Sequence, residues 1–190
     1  MRAPAHDCLA LRIVPFNTAL RDHFYRLNEA WLRKYFYVED IDHRVMSNPE
    51  SEILERGGSI LFAMLGEAAP GDAALGDAAL GESVVGTCAL MPEFDGAQHN
   101  GVYELTKMAV EEQRQGLGIG RALLEAAIVE FQHLGGRRLF LETNSKLTPA
   151  VRLYESMGFE HQPSLKPDSH YDRANVYMVW RDPQRNAATA

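Results

Sequence analysis

The chain has 190 residues, two cysteines, ordinary apolar (46%) and charged (24%) fractions and a net charge of −7. That predicts one globular domain with a full core over residues 1–182, then a loose polar tail from Pro183. The acidic balance argues against nucleic acid or anionic membrane as partners, no apolar run reaches spanning length, and no long apolar leader opens the chain, so the cytoplasm is the expected compartment.

Residues 9–14 read as a first strand, ended by Pro15. Asn17 or Thr18 can cap a helix running to about Lys34, with Leu20, Phe24, Leu27 and Trp31 on one stripe. Residues 35–40 are aromatic and then acidic. Asn48-Pro49 opens a short helix with Ile53 and Leu54 inward, and Gly57-Gly58 stops it. Residues 59–65 form a continuous apolar run, the pattern of a strand covered on both faces. The pentapeptide GDAAL then occurs twice in tandem, at 71–75 and 76–80, and reads as a surface connection between antiparallel strands. Residues 83–91 form the next strand, stopped by Pro92, and Asp95-Gly96 turns the chain into another at 102–110. Cys8 and Cys88 each lie in an apolar run and read as buried free thiols. His43, His99, His161 and His170 have no metal-ligand spacing, so no metal is expected.

The richest segment follows. Gln113-Arg114-Gln115-Gly116-Leu117-Gly118-Ile119-Gly120-Arg121 joins the 102–110 strand to an amphipathic helix. That helix places Leu123, Leu124, Ala127, Ile128, Phe131 and Leu134 inward and ends at Gly135-Gly136. Alternate glycines let a backbone turn tightly and approach a ligand, and the helix start behind them offers free N–H groups and a positive dipole end. Such a turn binds phosphate or simply caps a helix. No Lys-Ser/Thr follows the glycines, which disfavours a P-loop phosphotransferase. Arg121 stands where the dinucleotide fingerprint needs its third glycine.

Residues 138–143 form a strand. The stretch from Glu142 to Phe159 then carries Asn144, a helix with Thr148 as N-cap and Pro149 at its first position, the pair Leu153-Tyr154, and a terminal Gly158-Phe159. A last strand spans 174–181. The order β-α-α-β-β-β-α-β-α-β-β predicts an α/β (α+β) domain with a mixed, mostly antiparallel sheet flanked by helices.

Gln113, Gly116 and Gly118 stand in the register Q/R-x-x-G-x-G/A, and Asn144 through Phe159 supplies a second motif at the right distance. Together they resemble the GCN5-related N-acetyltransferase superfamily, most strongly over residues 103–159. The resemblance implies the acyl-CoA acyltransferase fold and acetyl-CoA as co-substrate, with a primary amine as acceptor. It implies that Gln113, Arg114, Gln115, Gly116, Leu117, Gly118, Ile119, Gly120 and Arg121 form the pyrophosphate loop. It further implies that Met108, Ala109, Val110 and Asn144 hold the pantetheine arm, with the Val110 N–H as oxyanion donor. Tyr154 takes the place of the general acid, and its bland alternative is a core tyrosine on an apolar helix stripe. Glu104 takes the place of a base. At about 13 Å from Met108 by strand rise it would act through ordered water, or else serve only as a paired carboxylate.

The resemblance implies an acceptor pocket shaped by Trp31, Tyr35, Phe36, Glu39, Asp40 and Tyr171. Aromatics with carboxylates suit a cationic amine, while Trp31 and Phe36 also fit a helix core. The competing function is a non-catalytic acyl-CoA-binding module, which would keep the glycine turn without needing a proton donor. Monomer and homodimer both remain open.

Overall fold

The computed structural model describes residues 9–67 and 82–182. Cys8, both GDAAL copies and the tail from 183 lie outside the described residues. One seven-stranded sheet organises the chain, in the order β1-β2-β3-β4-β5-β7-β6. The strands are β1 (Leu9–Pro15), β2 (Ser59–Glu67), β3 (Ser83–Asp95), β4 (Gln98–Val110), β5 (Arg138–Thr143), β6 (Phe159–His161) and β7 (Val176–Trp180). Every neighbouring pair is antiparallel except β4 with β5. The helices are α1 (Arg21–Tyr35), α2 (Asp40–Ser47), α3 (Ile119–His133) and α4 (Thr148–Ser156).

The sheet separates two cores, and β2 shows why its sequence is apolar at every position from Ile60 to Leu65. Leu61 and Ala63 face the cluster built with Leu123, Leu124, Ala127 and Phe131 of α3. Ile60, Phe62 and Met64 face the cluster built with Phe24, Leu27 and Leu32 of α1. Alternating side chains on a strand serve both faces. Among the described residues no helix is long and apolar enough to cross a membrane.

Four local expectations change. Strand β3 runs through Pro92 to Asp95 instead of stopping. Pairing of β2 with β3 ends at Ser59–Leu90, so beyond it that edge of β3 has no strand neighbour and the missing proline N–H costs little. The aromatic-acidic segment leads into a helix that its composition hides, α2. Glu39 and Asp42 cap α2 reciprocally, each side chain accepting from the other's backbone N–H. The Pro49 segment is a single wide turn, Glu50–Leu54, closed by Glu55 N–H donating to the Glu50 carbonyl. At α4 the cap position falls on Leu147, one residue before Thr148, and no side chain caps it. At α1, Asn17 is the capping side chain, accepting from Ala19 N–H in a short turn before the helix.

Candidate active site

The site begins where β4 and β5 part. Their parallel pairing covers only Val102–Glu104 with Arg138–Phe140. Beyond it the facing edges have no strand partner, and a cleft of about 560 Å³ opens between them. Unpaired strand edges present backbone N–H and C=O groups to a ligand. At the same place β4 bulges. Thr87 pairs with Ala109 but Ala89 with Thr106, so two residues, Lys107 and Met108, oppose Cys88. Lys107 takes a left-handed φ of 50°, an uncommon conformation for a non-glycine residue.

The glycine turn closes one end of the cleft. Gly116 and Gly118 have φ of 81° and 80°, and a Cβ on either would meet nothing within 4 Å. The backbone thus turns around open space, and a side chain there would occupy it. The first backbone hydrogen bond of α3 runs from Ala122 N–H to the Gly118 carbonyl. The N–H groups of Ile119, Gly120 and Arg121 precede it and stay free of the helix ladder. Gln115 ties the turn to β4, donating from Nε2 to the Val110 carbonyl at 3.2 Å. Arg114 lines the cleft, and its guanidinium has no hydrogen bond or ion pair among the described residues. Arg121 instead reaches α4, donating to Ser156 Oγ at 3.0 Å. These free N–H groups, the empty cradle and the unspent Arg114 fit a pyrophosphate.

Of the expected cofactor residues, Met108, Val110, Arg114, Gln115, Gly116, Gly118, Ile119, Gly120, Arg121 and Asn144 line the cleft. Gln113, Leu117 and Ala109 do not. Ala109 is buried in the α1-side core, and Leu117 is exposed. Asn144 is also a turn residue. Its amide donates to the Arg173 carbonyl at 2.6 Å and accepts from Lys146 N–H at 2.9 Å.

Tyr154 lines the cleft although only 9% exposed. Its hydroxyl donates to Met108 Sδ at 3.8 Å, a weak acceptor. Burial pushes its pKa well above the ordinary phenol value, so it stays a neutral donor. Cys88 is fully buried, and burial pushes its thiol up to about 12, which rules it out as a nucleophile at neutral pH.

Glu104 does not line the cleft. It is 4% exposed, and burial pushes its carboxyl up to about 7 against the pull of Lys107. The neighbouring Thr106 hydroxyl also draws it down. Thr106 does line the cleft, and its Oγ1 lies 3.3 Å from the Tyr171 hydroxyl. Sequence pattern alone did not find Thr106 as the link.

A buried ionic cluster forms the wall around Tyr171. Asp42 is fully buried and accepts from Lys107 Nζ at 2.9 Å and from both terminal nitrogens of Arg173 at 2.7 and 2.9 Å. Its burial would raise the pKa, but Lys107 and Arg173 outweigh that and hold it below the usual carboxylate range. Burial likewise opposes charge on Lys107, yet Tyr171 and Asp42 keep its pKa above the ordinary value. Lys107 also donates to the Tyr171 hydroxyl at 3.1 Å. Glu39, an expected acceptor-binding carboxylate, pairs with Arg173 at 2.9 Å, and Asp40 is exposed outside the cleft. Trp31, Tyr35 and Phe36 line the cleft, with the Trp31 ring tilted against the other two at centroid distances of 5.3 and 5.8 Å. Lys107, Arg173 and Glu142 also line it and were not anticipated. Among the described residues no group of His, Cys, Asp or Glu side chains could hold a metal ion.

This splayed sheet with a glycine turn at its mouth is an acetyltransferase architecture. A Staphylococcus aureus acetyltransferase of the GNAT family superposes with a TM-score of 0.71 over 90% of this chain and 98% of its own, at 20% identity. A Salmonella typhimurium acetyltransferase solved with its cofactor acetyl-CoA superposes at 0.65 over 90% and 94%, at 18% identity. The Acetyltransferase (GNAT) family profile matches residues 22–159, and the chain belongs to that family. Acetyl-CoA is the family's acyl donor.

Similarity to curated relatives is local. Mycothiol acetyltransferase of Acidothermus cellulolyticus is 42% identical over 69 residues, 35% of this chain and 20% of that protein. Spermine/spermidine N(1)-acetyltransferase of Bacillus subtilis is 34% identical over 80 residues, 40% and 51%. The Escherichia coli enzyme named for the alanine of ribosomal protein bS18 is 44% identical over 55 residues, 29% and 37%. The chain thus spans from a fifth to about half the length of these relatives.

Proposed function

We propose that this chain is an acetyl-CoA-dependent N-acetyltransferase that passes an acetyl group to a primary amine within a ternary complex. The observation that carries the reading is one continuous cleft with the free N–H groups of the glycine turn and the Tyr154 hydroxyl both on its wall. Bound acetyl-CoA would supply an activated thioester. Ile119, Gly120 and Arg121 N–H groups, with Arg114, would hold its pyrophosphate. The open edge of β4 at Met108–Val110 would hold the pantetheine arm, with Val110 N–H as oxyanion donor.

Two proton tasks remain. The departing thiolate needs a proton, and Tyr154 is the neutral donor facing that space. The acceptor must lose one, because an alkylammonium with a pKa of roughly 10 cannot attack. Glu104 would take it from outside the cleft, through Thr106 and Tyr171. The inert, buried Cys88 supports direct transfer over an acetyl-enzyme.

The test is thiol release from acetyl-CoA on addition of amines. Release should depend on the amine, and kcat should climb as pH rises through about 7, because Glu104 is protonated and idle below that value and ionised above it. Glu104→Gln should lower kcat and remove that rise. Coenzyme binding with no amine-dependent release across a broad panel would favour the non-catalytic module.

A further inference from the structure

The acceptor can be narrowed by charge, if the acetyltransferase reading on which this inference rests is right. The chain carries a net charge of −7. The cleft reverses that sign: Lys107, Arg114, Arg121, Lys146 and Arg173 line it against only two acidic side chains, Asp42 and Glu142. Arg114 and Arg121 flank the glycine turn, and Lys146 lies in the turn before α4. Lys107 and Arg173 belong to the other wall, where both stand over the Tyr171 ring at 4.9 and 4.8 Å.

Donor and acceptor capacity on that wall is unequal. The Asp42 oxygens are occupied, by Lys107, by both ends of the Arg173 fork and by Glu39 N–H. They have little left to offer an incoming cation. Lys107 carries three N–H donors and gives two, to Asp42 and Tyr171. Arg173 carries five and gives two to Asp42 and one towards Glu39. The wall therefore presents unspent donors on two cations, already oriented by the buried carboxylate they share. Such a surface matches an anionic oxygen group, which can accept from the donors that Asp42 and Glu39 leave over. Glu142 makes no hydrogen bond or ion pair among the described residues and is the lining carboxylate left for an ammonium.

We propose that the acceptor is an amine that also carries a carboxylate, seated on the unspent donors of Lys107 and Arg173. The ammonium first loses one proton towards Tyr171 and Glu104. The free amine then forms the new N–acetyl bond as the thioester C–S bond breaks, the thiolate gains a proton from Tyr154, and the second proton shed by the nitrogen restores the Tyr154 hydroxyl.

Thiol release from acetyl-CoA is measured with glycine, β-alanine, γ-aminobutyrate and the L-α-amino acids, each against its own carboxamide. Aminomethylphosphonate and spermidine are run beside them. At least one acid should exceed its amide tenfold or more in kcat/KM, and spermidine should be poor. Lys107→Met should bring that acid down to the level of its amide, mainly through KM, while calorimetric affinity for acetyl-CoA persists. Arg173→Gln should do the same. If either variant fails to fold, the acid–amide comparison on the unaltered protein decides alone. Equal use of acids and amides, preference for spermidine or the phosphonate, or turnover of other amines but of no acid overturns the proposal. Failure of the unaltered protein to bind acetyl-CoA, or binding with no thiol release for any amine, overturns the acetyltransferase reading instead.

Discussion

Tyr154→Phe is expected to lower kcat by roughly 10²–10⁴, the usual worth of a positioned acid. The ring packs against Phe159 at a centroid distance of 5.9 Å, and phenylalanine keeps that contact. The hydroxyl gives up only a long bond to a thioether sulphur, so folding stability should change little. Affinity for acetyl-CoA should survive, because the lost interaction belongs to the departing sulphur and not to the bound ground state. The defect should shrink with an acyl donor whose leaving thiol is more acidic, since that thiolate needs its proton less. A fully active Phe variant would return Tyr154 to the role of core side chain.

Gly118→Val should weaken coenzyme A binding by about a hundredfold or more in a protein that still folds. Two effects combine. Gly118 sits at φ of 80°, where an L side chain costs roughly 1–2 kcal/mol and a β-branched one more. The added branches also point into the open space that the turn encloses. The Cβ itself meets no atom within 4 Å, so the loss should fall on the ligand more than on the fold. Calorimetry with coenzyme A, beside circular dichroism of the variant, separates the two. Normal binding in Gly118→Val would place the phosphates elsewhere.

Local patterns made much of this architecture legible. The spacing of Leu123, Leu124, Ala127 and Phe131 marked the buried face of α3, and all four are in the core. The unbroken apolar run of β2 announced a strand buried on both sides. The glycine turn was legible because its dihedral demands are local.

What escaped depends on distant partners. Helix α2 was hidden because its acidic residues looked like a solvated stretch, whereas Asp42 is buried by Lys107 and Arg173 from elsewhere in the chain. A signal was present in the Glu39–Asp42 capping spacing and in Ile41 with Val45. Lys107 could not be foreseen in the cleft, because the bulge that admits it is set by the register of β4 against β3. The same long-range geometry takes up the carboxylates expected at the acceptor wall. Glu39 and Asp40 suggested a site for cations, yet Glu39 is bound to Arg173 and Asp40 lies outside the cleft.

The most direct measurement is a parallel titration of the folded protein with acetyl-CoA, coenzyme A, ATP and NAD, followed by melting temperature. The coenzyme A species should stabilise it, by about 2.7 kcal/mol at a hundredfold excess over Kd, and ATP and NAD much less. No shift with millimolar acetyl-CoA, or an equal shift with ATP, would contradict the assignment of the glycine turn and of the cleft it closes.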